Sequence, residues 1–333
     1  MHLKTAVVIL NYNGKNYLEI FLPFLLDYTP NTAIIVADNA STDNSVLFLR
    51  QKYPTIELII LQKNFGFAEG YRLALQKIEA DIFVLLNSDI EVTPHWLSPL
   101  TNFLTNNTNV AAVQPKIKNY QNREYFEHAG ACGGFLDKYA YPFCRGRLFD
   151  ECEKDTKQYN QNKAVFWATG ACLVIKKEAY FEVGGLDGYF FAHMEEIDLC
   201  WRLQNAGYQI YCIPESEVYH VGGGTLNKDN PFKTYLNFRN NLIMILKNHP
   251  YAFFILMIRF VLDTLAWFVF MLKGKFRFSF AISKAYFHFY RYLFTKKNKV
   301  ILKNNNKTIG KNKLWKKSIV WEYFINKKRK IDV

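Results

Sequence analysis

Ile82-Phe83-Val84-Leu85-Leu86-Asn87-Ser88-Asp89 decides how this chain folds. Five consecutive apolar residues leave no polar face, which is the pattern of a strand buried on both sides in a parallel sheet. The run ends in a polar triplet, so the strand delivers Asn87, Ser88 and Asp89 to one edge of that sheet. Three upstream runs repeat the arrangement: Ala6–Leu10 ends in Asn11-Tyr12-Asn13-Gly14, Ala33–Ala37 in Asp38-Asn39-Ala40-Ser41, and Leu58–Leu61 runs on to Asn64-Phe65-Gly66-Phe67. Helical segments are expected between them, around Asn16–Leu26, Ser45–Tyr53 and Ala68–Ile78. The order βαβαβαβ predicts an open α/β sheet flanked by helices. Ligands of such sheets bind beyond the carboxyl ends of the strands, so four polar strand ends in succession predict a site. Further strands are expected at Ala171–Ile175 and near Gln209–Ile213.

Charge divides the 333 residues unevenly. From Lys273 onward there are 18 Lys/Arg and 2 Asp/Glu, against 24 and 27 in the first 272 residues. The net charge of +13 therefore belongs to a tail and not to the enzyme-sized body. A basic, aromatic tail suits nucleic acid or the anionic face of a membrane. Tyr251–Leu272 is long enough to span a bilayer, which takes about 20 apolar residues, but it contains Arg259 and Asp263, four apart and able to pair. Helices lying in the interface, with aromatics in the acyl boundary and lysines toward head groups, are preferred to a single span. Domains are read as 1–225, 226–250 (an amphipathic helical connection), 251–295 (apolar and aromatic helices) and 296–333 (basic tail), with Lys296–Lys313 expected to be flexible. The first residues lack the charged start and long apolar core of a signal peptide. A cytoplasmic chain with six free thiols follows. His128, Cys132, Cys144 and Cys152 lack the CxxC pairing of a zinc site.

Gly185-Leu186-Asp187-Gly188-Tyr189-Phe190-Phe191-Ala192-His193-Met194-Glu195-Glu196-Ile197-Asp198 gathers three carboxylates within four residues, where a loop should become a helix. An acidic first turn is favoured by the helix dipole. Crowding carboxylates beside bulky aromatics is otherwise unfavourable, and it is what a general base or a cation contact needs.

Read in order, TAVVILNYNG, VADNASTDNS, NFGFAEG, LLNSDIEV, WATGACLVIK, GGLDGYFFAHMEEIDLCWRLQNAG and EVYHVGGGT resemble the family 2 inverting glycosyltransferases of GT-A fold, nearest to the rhamnosyltransferase-like bacterial members that build surface polysaccharides. Each motif alone is common; seven in this order, over about residues 5 to 250, are specific. The resemblance implies a mixed, mostly parallel GT-A (Rossmann-like) sheet, to which the apolar, aromatic and basic residues after 250 add a C-terminal helical extension expected to associate with the membrane. It implies a nucleotide-diphosphate sugar donor, dTDP-rhamnose or a UDP-hexose, held by Asn11, Tyr12, Asn13, Asp38, Asn64, Gly66, Phe67 and Ser88. Asp38 would hydrogen-bond the base or ribose, and Tyr12 would flank the ring. Asp89 would bind Mg²⁺ or Mn²⁺, with His220 completing the metal shell and Glu91, two positions on, as a helper. Glu196 stands where the family has its base, an Asp, with Asp198 as the second choice and Arg202 supporting it. Trp167, Thr169 and Gly170 match the acceptor side. The acceptor is expected to be a glycan or a polyprenyl-diphosphate-linked oligosaccharide, met on the cytoplasmic side of the inner membrane.

Two other functions fit parts of the chain. A sugar nucleotidyltransferase would place nucleotide and metal on a similar sheet, with less need of Glu195-Glu196 or His220. A nucleic-acid-binding protein would use the basic tail, but the body is slightly acidic and carries no nucleic-acid motif, so nucleic acid is not expected as a partner.

Overall fold

The computed structural model describes residues 3–222, 230–295, 314–331 and 333. Its strands are β1 (Thr5–Asn11), β2 (Ala33–Asp38), β3 (Glu57–Ile60), β4 (Ile82–Leu86), β5 (Ile90–Val92), β6 (Val110–Asn119), β7 (Gly134–Leu136), β8 (Pro142–Cys144), β9 (Arg147–Leu148), β10 (Glu151–Cys152), β11 (Lys163–Ala164), β12 (Cys172–Lys176) and β13 (Gln209–His220). The helices are α1 (Lys15–Tyr28), α2 (Ser45–Lys52), α3 (Gly66–Leu75), α4 (Leu97–Asn106), α5 (Lys177–Glu182), α6 (Glu195–Asn205), α7 (Pro231–Asn248), α8 (Ala252–Leu272) and α9 (Phe276–Leu293).

Nine strands form one sheet in the order β11-β13-β6-β12-β4-β1-β2-β3, with β5 added beside β13. The four apolar runs of the N-terminal half pair in parallel, as their continuous hydrophobicity requires. β12 is antiparallel to both β4 and β6, which makes the sheet mixed. All five residues of β4 are buried. Phe83 and Leu85 point into the core shared with Tyr71, Tyr180 and Trp201. Val84 and Leu86 point the other way, onto Leu18, Leu22, Trp96 and Leu100. Each such side chain contributes about 1.5–3 kcal/mol by leaving water. Parallel register sets Asn11 directly opposite Asp38, so the polar ends emerge side by side.

β6 and the small antiparallel sheet β10-β9-β8-β7 carry no signal in the sequence reading. The strands of the small sheet are two or three residues long, too short for an alternation to register. The described end of the basic tail returns to this sheet: the Trp315 amide donates to the Leu136 carbonyl at 2.8 Å, and Ile319 is buried with Phe143 and Leu148. Residues 314–331 therefore pack partly on the body. The expected flexible stretch Lys296–Lys313, Gly223, Gly224 and the boundary at 225/226 lie outside the described residues.

α8 is the one helix among the described residues long and apolar enough to cross a membrane. Its buried residues, Ala252, Ile255, Arg259 and Asp263, form a single face. Arg259 and Asp263 pair as their spacing suggested, at 3.2 Å. Tyr141 and Tyr286 hydroxyls donate to Asp263 at 2.9 Å each, and Arg259 donates to Asn241 of α7.

Candidate active site

The ends of β1, β2 and β4 converge through side chains. Asn11, fully buried, donates to Asp38 Oδ2 at 2.9 Å and to Ser41 Oγ at 3.1 Å. The Ser41 amide and hydroxyl donate to the same Asp38 carboxylate at 2.8 and 2.6 Å. Asp38 is 1% exposed and holds its own turn, so the group expected to meet a base or ribose is committed to the scaffold. Asn13 is likewise a brace, its side-chain oxygen accepting from the Thr42 amide at 2.7 Å. Tyr12 alone of this loop presents a large exposed ring. Ser88 lies across Gly14 from Asn11: a β-carbon on Gly14 would stand 2.5 Å from Asn11 Oδ1 and 3.2 Å from Ser88 Oγ. Asn64 accepts from the Gly66 amide at 2.8 Å, and Asn39 ties that loop to β2.

Gly66 has φ +77°, and a β-carbon there would reach within 2.4 Å of the Phe191 ring and 2.6 Å of its carbonyl. The close approach this glycine permits is to the loop before α6, not to a ligand.

Asp89 follows β4, and His220 ends β13; strand pairing of β13 with β5 brings them together. His220 Nε2 lies 3.2 Å from Asp89 Oδ1. Its other nitrogen lies 3.1 Å from Glu127 Oε2, and the Ala129 amide donates to that same carboxylate. Burial opposes charging of His220, but Asp89 and Glu127 on either side raise it to about 10. Burial likewise works against an ionised Glu127, yet His220 holds it below the usual carboxylate range. Two ligands at about 2.1 Å from one cation stand roughly 3 Å apart, so the Asp89–His220 spacing fits a divalent ion that would displace the proton shared between Nε2 and Asp89. Glu127 would then orient the imidazole, as carboxylates behind metal-bound histidines do. Among the described residues no three His, Cys, Asp or Glu side chains converge on one point. Glu91 does not join this pair. Arg123 grips both of its oxygens at 2.9 Å, on the side of β5 turned to Tyr219.

Glu196 opens α6 from the other direction. A β-carbon on Gly170 would touch Phe67 at 3.1 Å and Glu196 Cβ at 3.8 Å, so three of the motifs meet at this glycine. Glu196 Oε2 and Glu195 Oε2 are buried without a hydrogen-bond partner, as are Asn11 Oδ1 and His193 Nε2. Burial raises the Glu196 carboxyl to about 7. Glu195, 4% exposed, is pushed up by burial and then by Glu196. Asp198, one turn on, is the opposite case. It accepts from Arg202 at 2.9 Å and from Lys247 and Asn248 at 2.8 Å, and the Lys247 and Arg202 charges hold it low despite complete burial. That carboxylate has no room for a substrate proton, which removes it as the second choice for a base. It anchors α6 to α7.

Trp167 and Thr169 are also scaffold. Trp167 is 4% exposed, donates to the Phe135 carbonyl at 3.0 Å and lies against Gly134, where a β-carbon would stand 2.0 Å from its ring. Its faces are covered, so it cannot stack on an acceptor sugar. Thr169 donates to the Ala129 carbonyl at 2.8 Å, linking the Gly170 turn to the segment that holds Glu127.

Sequence reasoning missed Glu127, Arg239 and Asn240. The segment between α3 and α6 contact turns on the last two. Phe191, His193 and Met194 adopt φ of 65°, 67° and 71°, which costs non-glycine residues about 1–3 kcal/mol each. Asn240 donates to the carbonyls of Phe190, Ala192 and His193 at 2.9, 2.9 and 2.7 Å, and Arg239 to those of Tyr189 and Phe190 at 3.0 Å. The run of aromatics in this loop was the available signal; the helix that answers it lies some 50 residues away in the chain.

Comparison with known proteins places this geometry. The model of the family described as glycosyl transferase family 2 matches residues 6–184. The chain is 23% identical over 258 residues to the N-acetylglucosaminyl-diphospho-decaprenol L-rhamnosyltransferase of Mycobacterium tuberculosis, covering 73% of this chain and 84% of that protein. It is 22% identical over 249 residues to the low-salt glycan biosynthesis hexosyltransferase Agl10 of Haloferax volcanii, covering 72% and 74%. Among solved structures, GalNAc-T7 with UDP, GalNAc and Mn²⁺ superposes with a TM-score of 0.61 at 15% identity, over 75% of this chain and 49% of that one. The mannosyltransferase PcManGT of Pyrobaculum calidifontis with GDP-Man and Mn²⁺ superposes at 0.54 and 12% identity, over 87% and 88%. Those likenesses are of fold. With the family model spanning more than half its length, the chain belongs to glycosyl transferase family 2.

Proposed function

We propose that this enzyme transfers rhamnose or a hexose, with inversion, from dTDP-rhamnose or a UDP-hexose to a lipid-linked or growing surface glycan. The observation that carries the reading is the Glu196 carboxyl, one buried oxygen of which has no partner, raised to about 7 by burial beside Gly170. A group with that proton affinity is matched to general-base work near neutral pH. The acceptor oxygen bonds to the anomeric carbon and its proton passes to Glu196. The bond from that carbon to the diphosphate oxygen breaks, its electron pair leaving with the nucleotide diphosphate. Asp89 and His220 would hold Mg²⁺ or Mn²⁺, which would supply positive charge against the negative charge of the departing diphosphate. Asn11 has a buried acceptor free for the donor, and Tyr12 offers a ring to its base. The rhamnosyltransferase relative, whose name specifies a diphospho-decaprenol acceptor, supports a polyprenyl-diphosphate carrier.

Such a carrier lies in a membrane, and α8–α9 supports a position on its cytoplasmic surface. Phe253, Phe254, Met257, Phe260, Leu265 and Leu272 of α8 and Phe276, Phe280 and Phe287 of α9 are at least half exposed. An apolar face of this extent normally has a partner. Arg259 and Asp263 tie the middle of α8 to Tyr141 and Asn241, so a spanning α8 would draw the body into the bilayer. An in-plane hairpin needs no such penetration.

Thermal stabilisation by UDP-, dTDP- and GDP-sugars, with and without Mn²⁺, tests the donor site. A metal-dependent shift with one nucleotide class, absent in Asp89→Ala, is expected; no shift with any of them would overturn it. Co-sedimentation with anionic vesicles, lost in Phe254→Glu/Phe280→Glu, tests the membrane face.

A further inference from the structure

Asn240 is completely buried in the middle of α7, where an asparagine favours neither the helix nor the apolar packing around it. Its side-chain nitrogen faces three carbonyls of one loop, those of Phe190, Ala192 and His193, within 2.9 Å. Its side-chain oxygen accepts from Arg239 Nε at 2.8 Å, which fixes the amide the right way round. The loop so held contains three non-glycine residues at positive φ, the last of them Met194, whose carbonyl receives the first helical bond of α6 from Asp198. From the other side, the Ala68 amide donates to the Phe191 carbonyl at 3.1 Å, at the point where Gly66 admits the loop. The backbone that aims Glu195 and Glu196 is thus in a conformation its own residues disfavour, and one buried amide reaches three of the carbonyls by which it is kept there.

We infer that Asn240 is a positioning residue for glycosyl transfer: it locks the Phe190–Met194 loop in its left-handed conformation and so fixes where the Glu196 carboxylate stands relative to the acceptor hydroxyl. The inference rests on Glu196 being the base. It assigns to α7 a part in the chemistry without any contact between α7 and substrate.

The test uses the full chain, with kcat, donor KM, the pH profile and nucleotide-induced thermal shift measured together. Asn240→Ala is expected to lower kcat about 100-fold, the cost of misplacing a reacting group by about an ångström. Donor KM and the nucleotide shift should stay within about twofold, because the donor edge is built by other strands. Met194→Gly in the Asn240→Ala background is expected to recover about tenfold of the lost kcat, since glycine adopts that backbone without strain. Arg239→Lys, which keeps the buried amide but gives up the guanidinium fork over Tyr189 and Phe190, should reduce the same parameter less; it decides the matter if Asn240→Ala does not fold. A kcat within threefold of the parent in Asn240→Ala, or a loss shared equally with donor binding and not recovered by Met194→Gly, overturns the inference. Glu196→Gln separates the two levels. If that variant turns over normally, the base assignment fails; if it is inactive while Asn240→Ala is active, only the positioning role fails.

Discussion

Two acidic regions of the site differ in how their charge is met. At the end of β4, Asp89 and Glu127 flank His220, so each buried charge has an opposite within 3.2 Å. At the start of α6, Glu195 and Glu196 each bury an oxygen with no partner. The contrast recurs within α6 itself, where Asp198 has three side-chain partners and is held low, while Glu196, two residues earlier, has no side-chain partner, keeps one buried oxygen unpartnered and is raised by burial. Identical chemistry thus divides into scaffold and reagent according to what surrounds it. Within α6 the satisfied Asp198 holds structure, and the less satisfied Glu196 is the one fitted to take a proton.

The contrast is broken most severely at Glu196. Glu196→Gln should reduce turnover by about 10²–10⁴-fold, the usual worth of a general base, with nucleotide-induced stabilisation intact. In the parent enzyme kcat should fall as pH drops through about 7, since Glu196 is then protonated and cannot accept; a kcat flat from pH 6 to 8 would contradict the assignment. Stability should respond oppositely at the two acids. Glu196, raised in the folded state, favours folding below its ordinary range and loses that contribution as pH rises through about 7. Asp198, lowered, stabilises above the ordinary aspartate range and loses its contribution as pH falls below it. Asp198→Asn leaves Arg202 without its counter-charge and Lys247 with Asp187 alone, and should cost about 3 kcal/mol in denaturant unfolding. Glu127→Gln is a finer probe of the satisfied region. It should weaken Mn²⁺ binding about 10–100-fold, the range for partners behind a metal ligand, as read by the free Mn²⁺ signal in electron paramagnetic resonance. Glu91→Gln should do least. Its partner Arg123 is half exposed, so the pair contributes about 0–1 kcal/mol, and Mn²⁺ binding should be unchanged.

The fold was largely legible because strands buried on both faces leave unbroken apolar runs, and β4 coincides with the predicted Ile82–Leu86. Within the site, legibility stopped at the difference between a residue's type and its partners. Asp38, Trp167 and Asp198 have the types a ligand site uses, but Ser41, Gly134 and Lys247 occupy them. Glu127 and Asn240 were invisible for the converse reason: each acts on a segment far along the chain, and no local pattern marks either.

By itself the sequence determined the α/β order, the sheet edge at which polar residues gather and the family motifs, because each depends on hydrophobic periodicity or on residues close in the chain. Only the tertiary structure decided which carboxylates are neutralised, which glycine admits which loop and how α7 holds the backbone of the base. Those outcomes depend on contacts across 50 to more than 100 residues, and a buried charge or amide takes its meaning from the atom it faces.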